Sequence, residues 1–183
     1  MARTAGAAGQ VGSFRSPAVW GGTGALMVLP VIALRGVDPA QWDPPGDFVF
    51  LALLLAGVGL TYEAAARVSD AKAYRAGVVV ALATALLSAW INLAVGIIGS
   101  EDNPANWIYA GVLAVAGAGA VFARFRPFGV ARAMAVAAAA QILAFVIALV
   151  AGFGFTGPIT VFFAGLWLIS AWLFARAARE QGS

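Results

Sequence analysis

The stretch VARAMAVAAAAQILAFVIALVAG, residues 130–152, decides the fold. Its one charge, Arg132, lies two residues from the start. A helix needs about 20 apolar residues to cross a hydrocarbon core of ~30 Å, and this run is long enough. Working outward, the same test picks out 17–35, 48–66, 76–99, 107–125 and 158–176. Six such spans occupy about two thirds of the chain. That explains a composition of 62% hydrophobic and 10% charged residues, with mean hydropathy +0.92. A soluble domain carries roughly 45–50% apolar and about 25% charged residues. Nineteen charges over 183 positions cannot clothe a water-exposed surface. A soluble globular protein, a disordered chain and a nucleic-acid binder are excluded, although the pI is near 10.0. The expectation is an all-α polytopic membrane protein, a single bundle of six transmembrane helices over 17–176. A mobile tail (1–16) precedes it, a short tail (177–183) follows, and the longest connection is Gly36–Asp47.

Basic residues set the orientation, because Lys and Arg accumulate on the cytoplasmic side. Arg3, Arg15, Arg67, Lys72, Arg75, Arg124, Arg126, Arg132, Arg176 and Arg179 fall on one side. Arg35 alone falls on the other, beside Asp38, Asp43, Asp47, Glu101 and Asp102. With Glu63, Asp70 and Glu180 added, the cytoplasmic side carries +7 and the outer side −4, consistent with the net +3. Both termini are therefore expected in the cytoplasm and the chain in a bacterial inner membrane. The first span is too long for a signal-peptide core and lacks a small-x-small cleavage site before Arg35. It is expected to be retained. Without cysteine, and with Ala2 after the initiator, no lipidation motif is available.

Local punctuation agrees with six helices. Ser16-Pro17, Asp43-Pro44, Asn103-Pro104 and Gly157-Pro158 each pair a capping residue with proline. Proline at the first helical position loses no hydrogen bond. Trp20, Tyr62, Tyr74 and Trp172 are placed near the cytoplasmic interface, and Trp42, Trp107 and Tyr109 near the outer one, as aromatic belts. Trp90 and Trp167 lie deeper, where an indole N–H needs a partner or a cavity. Pro30 predicts a kink over residues 26–30 of the first span.

Much chemistry is excluded. There is no cysteine, hence no disulfide or thiolate, and no histidine, the commonest general base and metal ligand. No span carries an acid–base pair, an activated nucleophile or a mid-membrane Arg or Lys, so no enzyme and no cofactor are expected. Gly152-Phe153-Gly154-Phe155-Thr156-Gly157 spells a literal G-x-G-x-x-G. The dinucleotide fingerprint requires a preceding strand, whereas this run joins two membrane helices and reads as a tight turn.

Two groups of polar residues stand out. Glu101, Asp102, Asn103 and Asn106 lie in the turn between the third and fourth spans. One reading is capping: Gly99 ends a helix, Asn103-Pro104 starts the next, and the acids favour its positive dipole end. The other is an outer mouth whose oxygen atoms attract a hard cation. Within the membrane, Thr84, Ser88 and Asn92 share one helix face at i, i+4, i+8, and Gln141 sits at the middle of the fifth span. They act either as interhelical glue or as a lining for a small solute. Asn92 and Gln141 are offset by ~7 Å in depth, within reach if their helices are neighbours. Glu63 and Arg67, four residues apart, are expected to pair.

Small residues fill the fourth and fifth spans: Gly111, Ala114, Ala116, Gly117, Gly119 and Ala120, then Ala131 through Ala148 at many positions. Such faces let helix backbones approach closely and leave surface for a partner subunit or a second copy. A weak echo of Leu87–Ile91 in Ile169–Leu173 is compatible with an inverted repeat.

The run Asn92–Asn106 (NLAVGIIGSEDNPAN) and the segment Ala123–Met134 resemble an uncharacterised family of small six-helix inner-membrane proteins of GC-rich proteobacteria. The likeness covers most of 48–176 and implies location and a six-helix plan, with no activity attached. Size and span count are also similar to the substrate-binding components of energy-coupling vitamin transporters, an analogy of shape. The functional expectation is a non-enzymatic integral membrane protein acting as a structural or accessory subunit, with membrane lipids and a partner subunit or its own copies as company. The alternative is a small channel or transporter for an uncharged or cationic solute, running from the acidic mouth past Asn92, Ser88 and Gln141.

Overall fold

The structure, a computed structural model, describes residues 56–65, 67–100 and 102–182. The first span, residues 48–55 and 66 of the second, Pro30, the tail 1–16, the caps at Ser16 and Asp43, and Glu101 lie outside these residues. The helices described below belong to the compact unit Val58–Ser183.

Four long helices follow a helical stretch over 56–65: α1 (Lys72–Ala94), α2 (Trp107–Phe122), α3 (Pro127–Val150) and α4 (Gly157–Gly182). A single 3-10 turn, Pro104–Asn106, leads into α2. No strand occurs among the described residues. All four helices are long and apolar enough to cross a membrane, α2 counted with its leading turn. They match the expected third to sixth spans. Large apolar side chains stand fully outward on them, Phe122 at 87% exposure and Val150 at 83%. Such a surface in water is an aggregation liability, so the four helices suggest a membrane-embedded protein.

The ends of the helices differ from the sequence expectation in ways the backbone explains. The expected close of the third span is Gly99, but α1 ends at Ala94. Gly96, at φ 75, takes the left-handed position that only glycine adopts freely, and its N–H reaches back to the Ile91 carbonyl at 3.1 Å. Gly99 sits beyond, inside the turn. α3 closes the same way: Gly152 has φ 73 and the Phe153 N–H bonds the Ala148 carbonyl at 2.9 Å. The G-x-G-x-x-G run is thus a helix–helix turn, and α3 rather than a strand precedes it. At the other end of the sixth span, residues 177–182 are not a separate tail but the last turns of α4, where Ala177 is buried. Alanine, arginine and glutamate propagate a helix past the apolar zone, and Arg176 pairs with Glu180 at 2.9 Å.

The helices lie as an arc in the order α2, α3, α4, α1, each antiparallel to its neighbour, while α1 and α2 touch only briefly. Close approach is made by small residues. A Cβ on Gly119 would fall 2.7 Å from the Ala133 Cβ, and one on Gly129 the same distance from the Ala123 Cβ. The α2–α3 seam is therefore backbone against alanine, as membrane packing without a hydrophobic driving force requires. α4 and α1 are joined by Ser170, whose hydroxyl donates to the Gly77 carbonyl at 2.9 Å. Tyr74 packs edge-on against Phe174, 5.1 Å between centroids.

Two aromatics expected in the interfacial belts turn inward instead. Tyr74 is fully buried, and its hydroxyl donates to the Phe125 carbonyl at 2.6 Å. Tyr109 is buried and donates to the Thr156 hydroxyl at 3.3 Å. Each phenol secures a turn that the backbone alone leaves with free carbonyls or hydroxyls. Trp107 and Trp172 remain exposed, and the Arg176 guanidinium lies over the Trp172 ring.

Candidate functional site

The α1–α2 turn is organised around one side chain. Asn106 is 4% exposed. Its Oδ1 accepts from the Ile97 and Ile98 amides at 3.0 and 2.8 Å. Its Nδ2 donates to the Ser100 carbonyl at 2.7 Å and more weakly to the Ile98 carbonyl at 3.4 Å. An amide offers two donors and one acceptor oxygen, so all of this capacity goes to holding the loop against α2. Asn103 acts as the cap expected of it: its Oδ1 accepts from the Ala105 amide at 3.0 Å, with Pro104 in the first helical position. Asn92 donates to the Asn106 carbonyl at 3.2 Å, joining the end of α1 to the same turn. Asp102 is exposed, and Glu101 lies outside the described residues. Of the four residues suggested for a mouth, two are thus engaged by the turn's own backbone. Among the described residues no group of three or more Asp or Glu side chains gathers anywhere.

The intramembrane residues divide as well. Thr84 is fully buried and donates to the Val80 carbonyl of its own helix at 2.7 Å. Ser88 is 1% exposed. Asn92 and Gln141 share no hydrogen bond, and α1 and α3 have no extended packing interface, whereas α4 packs against both. Depth alone pairs the two residues in the sequence, and lateral order keeps them apart. Gln141 lies on the inward stripe of α3, between Ala137 and Ala144, at 0% exposure. Neither its Nε2 nor its Oε1 has a hydrogen-bond partner. The Trp167 Nε1 on α4 is likewise buried and unpartnered, as is the Asn92 Oδ1. Side chains on a helix lean toward its N-terminus, so on the antiparallel pair α3 and α4 the Gln141 amide and the Trp167 indole lean in opposite directions along the bundle.

Trp167 also borders a cavity of about 150 Å³ inside the arc. Its wall is apolar and aromatic, with Tyr74 and Val78 from α1, Leu113 from α2, Phe125 from the α2–α3 turn, and Phe174 from α4. The rule that a deep tryptophan lines a cavity or finds a partner holds for Trp167 in its first form. Ser170 was missed as a structural hydroxyl. Its signal, a lone serine in an apolar span, was present but indistinguishable from that of Ser88.

At the other end of the bundle, Glu63 and Arg67 form the expected i, i+4 pair, and Arg75 pairs with Asp70 at 2.6 Å. The Ser69 hydroxyl accepts from the Gln181 amide at 2.5 Å, which clamps the start of α1 to the end of α4. No family model, curated protein or solved structure matches the chain. Function therefore rests on the residues themselves.

Proposed function

We propose that the chain is a non-enzymatic integral protein of a bacterial inner membrane, with both termini in the cytoplasm, that works by packing as a structural or accessory subunit or as a homo-oligomer. One observation carries this reading: of the polar side chains that would line a solute path, Thr84, Ser88 and Gln141 are 0–1% exposed, and the half-buried Asn92 donates to the Asn106 carbonyl. A conducting path keeps such groups wet. The turn at Asn92, Asn103 and Asn106 supports the same view, since its amides bind backbone. Outward apolar residues on all four helices offer surface to lipid and to protein neighbours. The six-helix plan and the kinship with the proteobacterial family belong to this proposal.

The experiment is reconstitution followed by mass measurement and flux. The expected result is a defined assembly, either a homo-oligomer or a stoichiometric complex, in native mass spectra of mildly solubilised membranes. Cation and small neutral-solute flux in proteoliposomes should equal that of empty vesicles. A monomer with flux above background overturns the reading. Gln141 is the observation that favours transport as a second reading, because an unpartnered mid-membrane amide is what a passing solute would engage. Flux abolished by Gln141→Leu would establish it.

A further inference from the structure

We propose that the cavity inside the arc holds one acyl chain of an anionic phospholipid whose headgroup phosphate rests on Arg124 and Arg126. The cavity measures about 150 Å³ and its lining is apolar. An apolar cavity of about that size stays dry and accepts apolar guests. Its wall follows α1 from Tyr74 to Ala85, about 16 Å of helix axis. So small a volume along so long a wall is a narrow track, which suits a linear hydrocarbon better than a compact ring.

Charge at one end of the track identifies the headgroup. Phe125 lines the cavity and lies between Arg124 and Arg126 in the chain. Arg124 and Phe125 both take left-handed backbone, φ 49 and 57, a conformation that non-glycine residues adopt at some cost. The Tyr74 hydroxyl holds the Phe125 carbonyl there. That turn leaves both flanking arginines exposed. Four arginines at this end have companions, since Arg67, Arg75 and Arg176 pair with carboxylates and Arg132 lies 5.1 Å over the Phe128 ring, while the exposed Lys72 lies outside the cavity lining. Arg124 and Arg126 have no carboxylate in ion-pair reach among the described residues. A basic site beside an apolar track between membrane helices matches an anionic headgroup with its chain, and guanidinium binds phosphate in bidentate fashion.

The test uses the full chain purified in mild detergent and supplied with dioleoyl phosphatidylglycerol or dioleoyl phosphatidylcholine, with retained lipid counted by native mass spectrometry. One phosphatidylglycerol should survive per chain, with at least five-fold less phosphatidylcholine. The double variant Arg124→Gln/Arg126→Gln should lower phosphatidylglycerol to the phosphatidylcholine level. Gly117→Leu should lower both, since Gly117 lines the cavity and a Cβ there meets nothing within 4 Å. Equal retention of the two lipids, or unchanged phosphatidylglycerol in either variant, overturns the proposal. Should Gly117→Leu fail to fold, phosphatidylglycerol brominated along its acyl chain decides instead. Tryptophan fluorescence of the native chain should be quenched by a larger fraction than that of Trp167→Phe, and equal quenching overturns the acyl-chain assignment.

Discussion

Replacing Gln141 with leucine should stabilise the bundle, which few substitutions of a buried residue do. Gln141 is 0% exposed and both its amide atoms lack partners. A buried unsatisfied donor or acceptor costs about 1–3 kcal/mol, and the amide carries one of each kind. The reference state in a membrane offsets part of that, because separated helices also find partners for polar side chains; measured interhelical bonds average only about 0.6 kcal/mol for this reason. Leucine has nearly the volume of glutamine and brings no polar atom, so repacking stays within about 1.5 kcal/mol. The net expectation is a gain of about 1–2 kcal/mol, a 5- to 30-fold shift in the folding equilibrium. Denaturing-detergent titration in mixed micelles, followed by circular dichroism, reads that shift directly. Ser170→Ala is the control: it removes a formed interhelical bond to Gly77 and should lose about 1 kcal/mol. A loss of about 1 kcal/mol or more in Gln141→Leu would refute the argument. It would show that the amide is satisfied in the membrane by something the packed helices do not themselves provide.

Glycine substitutions should separate seam from surface. Gly119→Ala and Gly129→Ala each place a Cβ 2.7 Å from an alanine Cβ and should cost about 1–3 kcal/mol, whereas Gly111→Ala, with open space, should be neutral or gain up to about 1 kcal/mol in the same titration. Asn106→Ala should lose about 2–4 kcal/mol and make the 97–103 turn a site of rapid protease cleavage; Asn106→Asp keeps the acceptor for Ile97 and Ile98 and should lose less. Equal losses would mean that the acceptor bonds from the Ile97 and Ile98 amides contribute nothing. The chain has no native cysteine, so single cysteines at Arg126 and Asp102 report topology cleanly. An impermeant maleimide on intact spheroplasts should label the second and not the first, and labelling of both or the reverse pattern would overturn the assigned orientation.

The helices were legible because length and hydropathy are one-dimensional quantities. In a run such as Val130–Gly152, composition by itself is enough to specify a spanning helix. The caps were legible too where a residue type has a single physical use, as with Asn103-Pro104. The choice of Gly99 over Gly96 as helix terminator went wrong because both glycines take positive φ, and composition does not say which comes first in a helix still able to close. Asn106 was grouped with Asp102 as an oxygen donor by residue type. Its role depends on four backbone groups of the preceding loop, which fold back on it through a geometry no spacing rule encodes.

Lateral order was the larger gap. Hydropathy gives each residue a depth and leaves its neighbours open, so Asn92 and Gln141 come within ~7 Å in depth, yet they sit on helices that share no extended interface. The residues that do fix lateral order are inconspicuous: Gly119 against Ala133, Gly129 against Ala123, Ser170 on Gly77. In an alanine-rich chain, small residues are too common for any one to announce a contact, yet only where two coincide can backbones approach. The same geometry explains the cavity. An arc sealed by small residues along α2–α3 and by hydrogen bonds along α4–α1 leaves α1 and α2 with little to hold them together. Space collects on the inside of that arc, bordered by the aromatic rings of Tyr74, Phe125 and Trp167. Filling it with another large side chain would have been the simple packing solution, and the chain instead places Gly117 and Ala116 there. A bilayer supplies hydrocarbon at no cost in chain entropy to the protein, so a void facing this interior is better matched to a lipid tail than to a side chain.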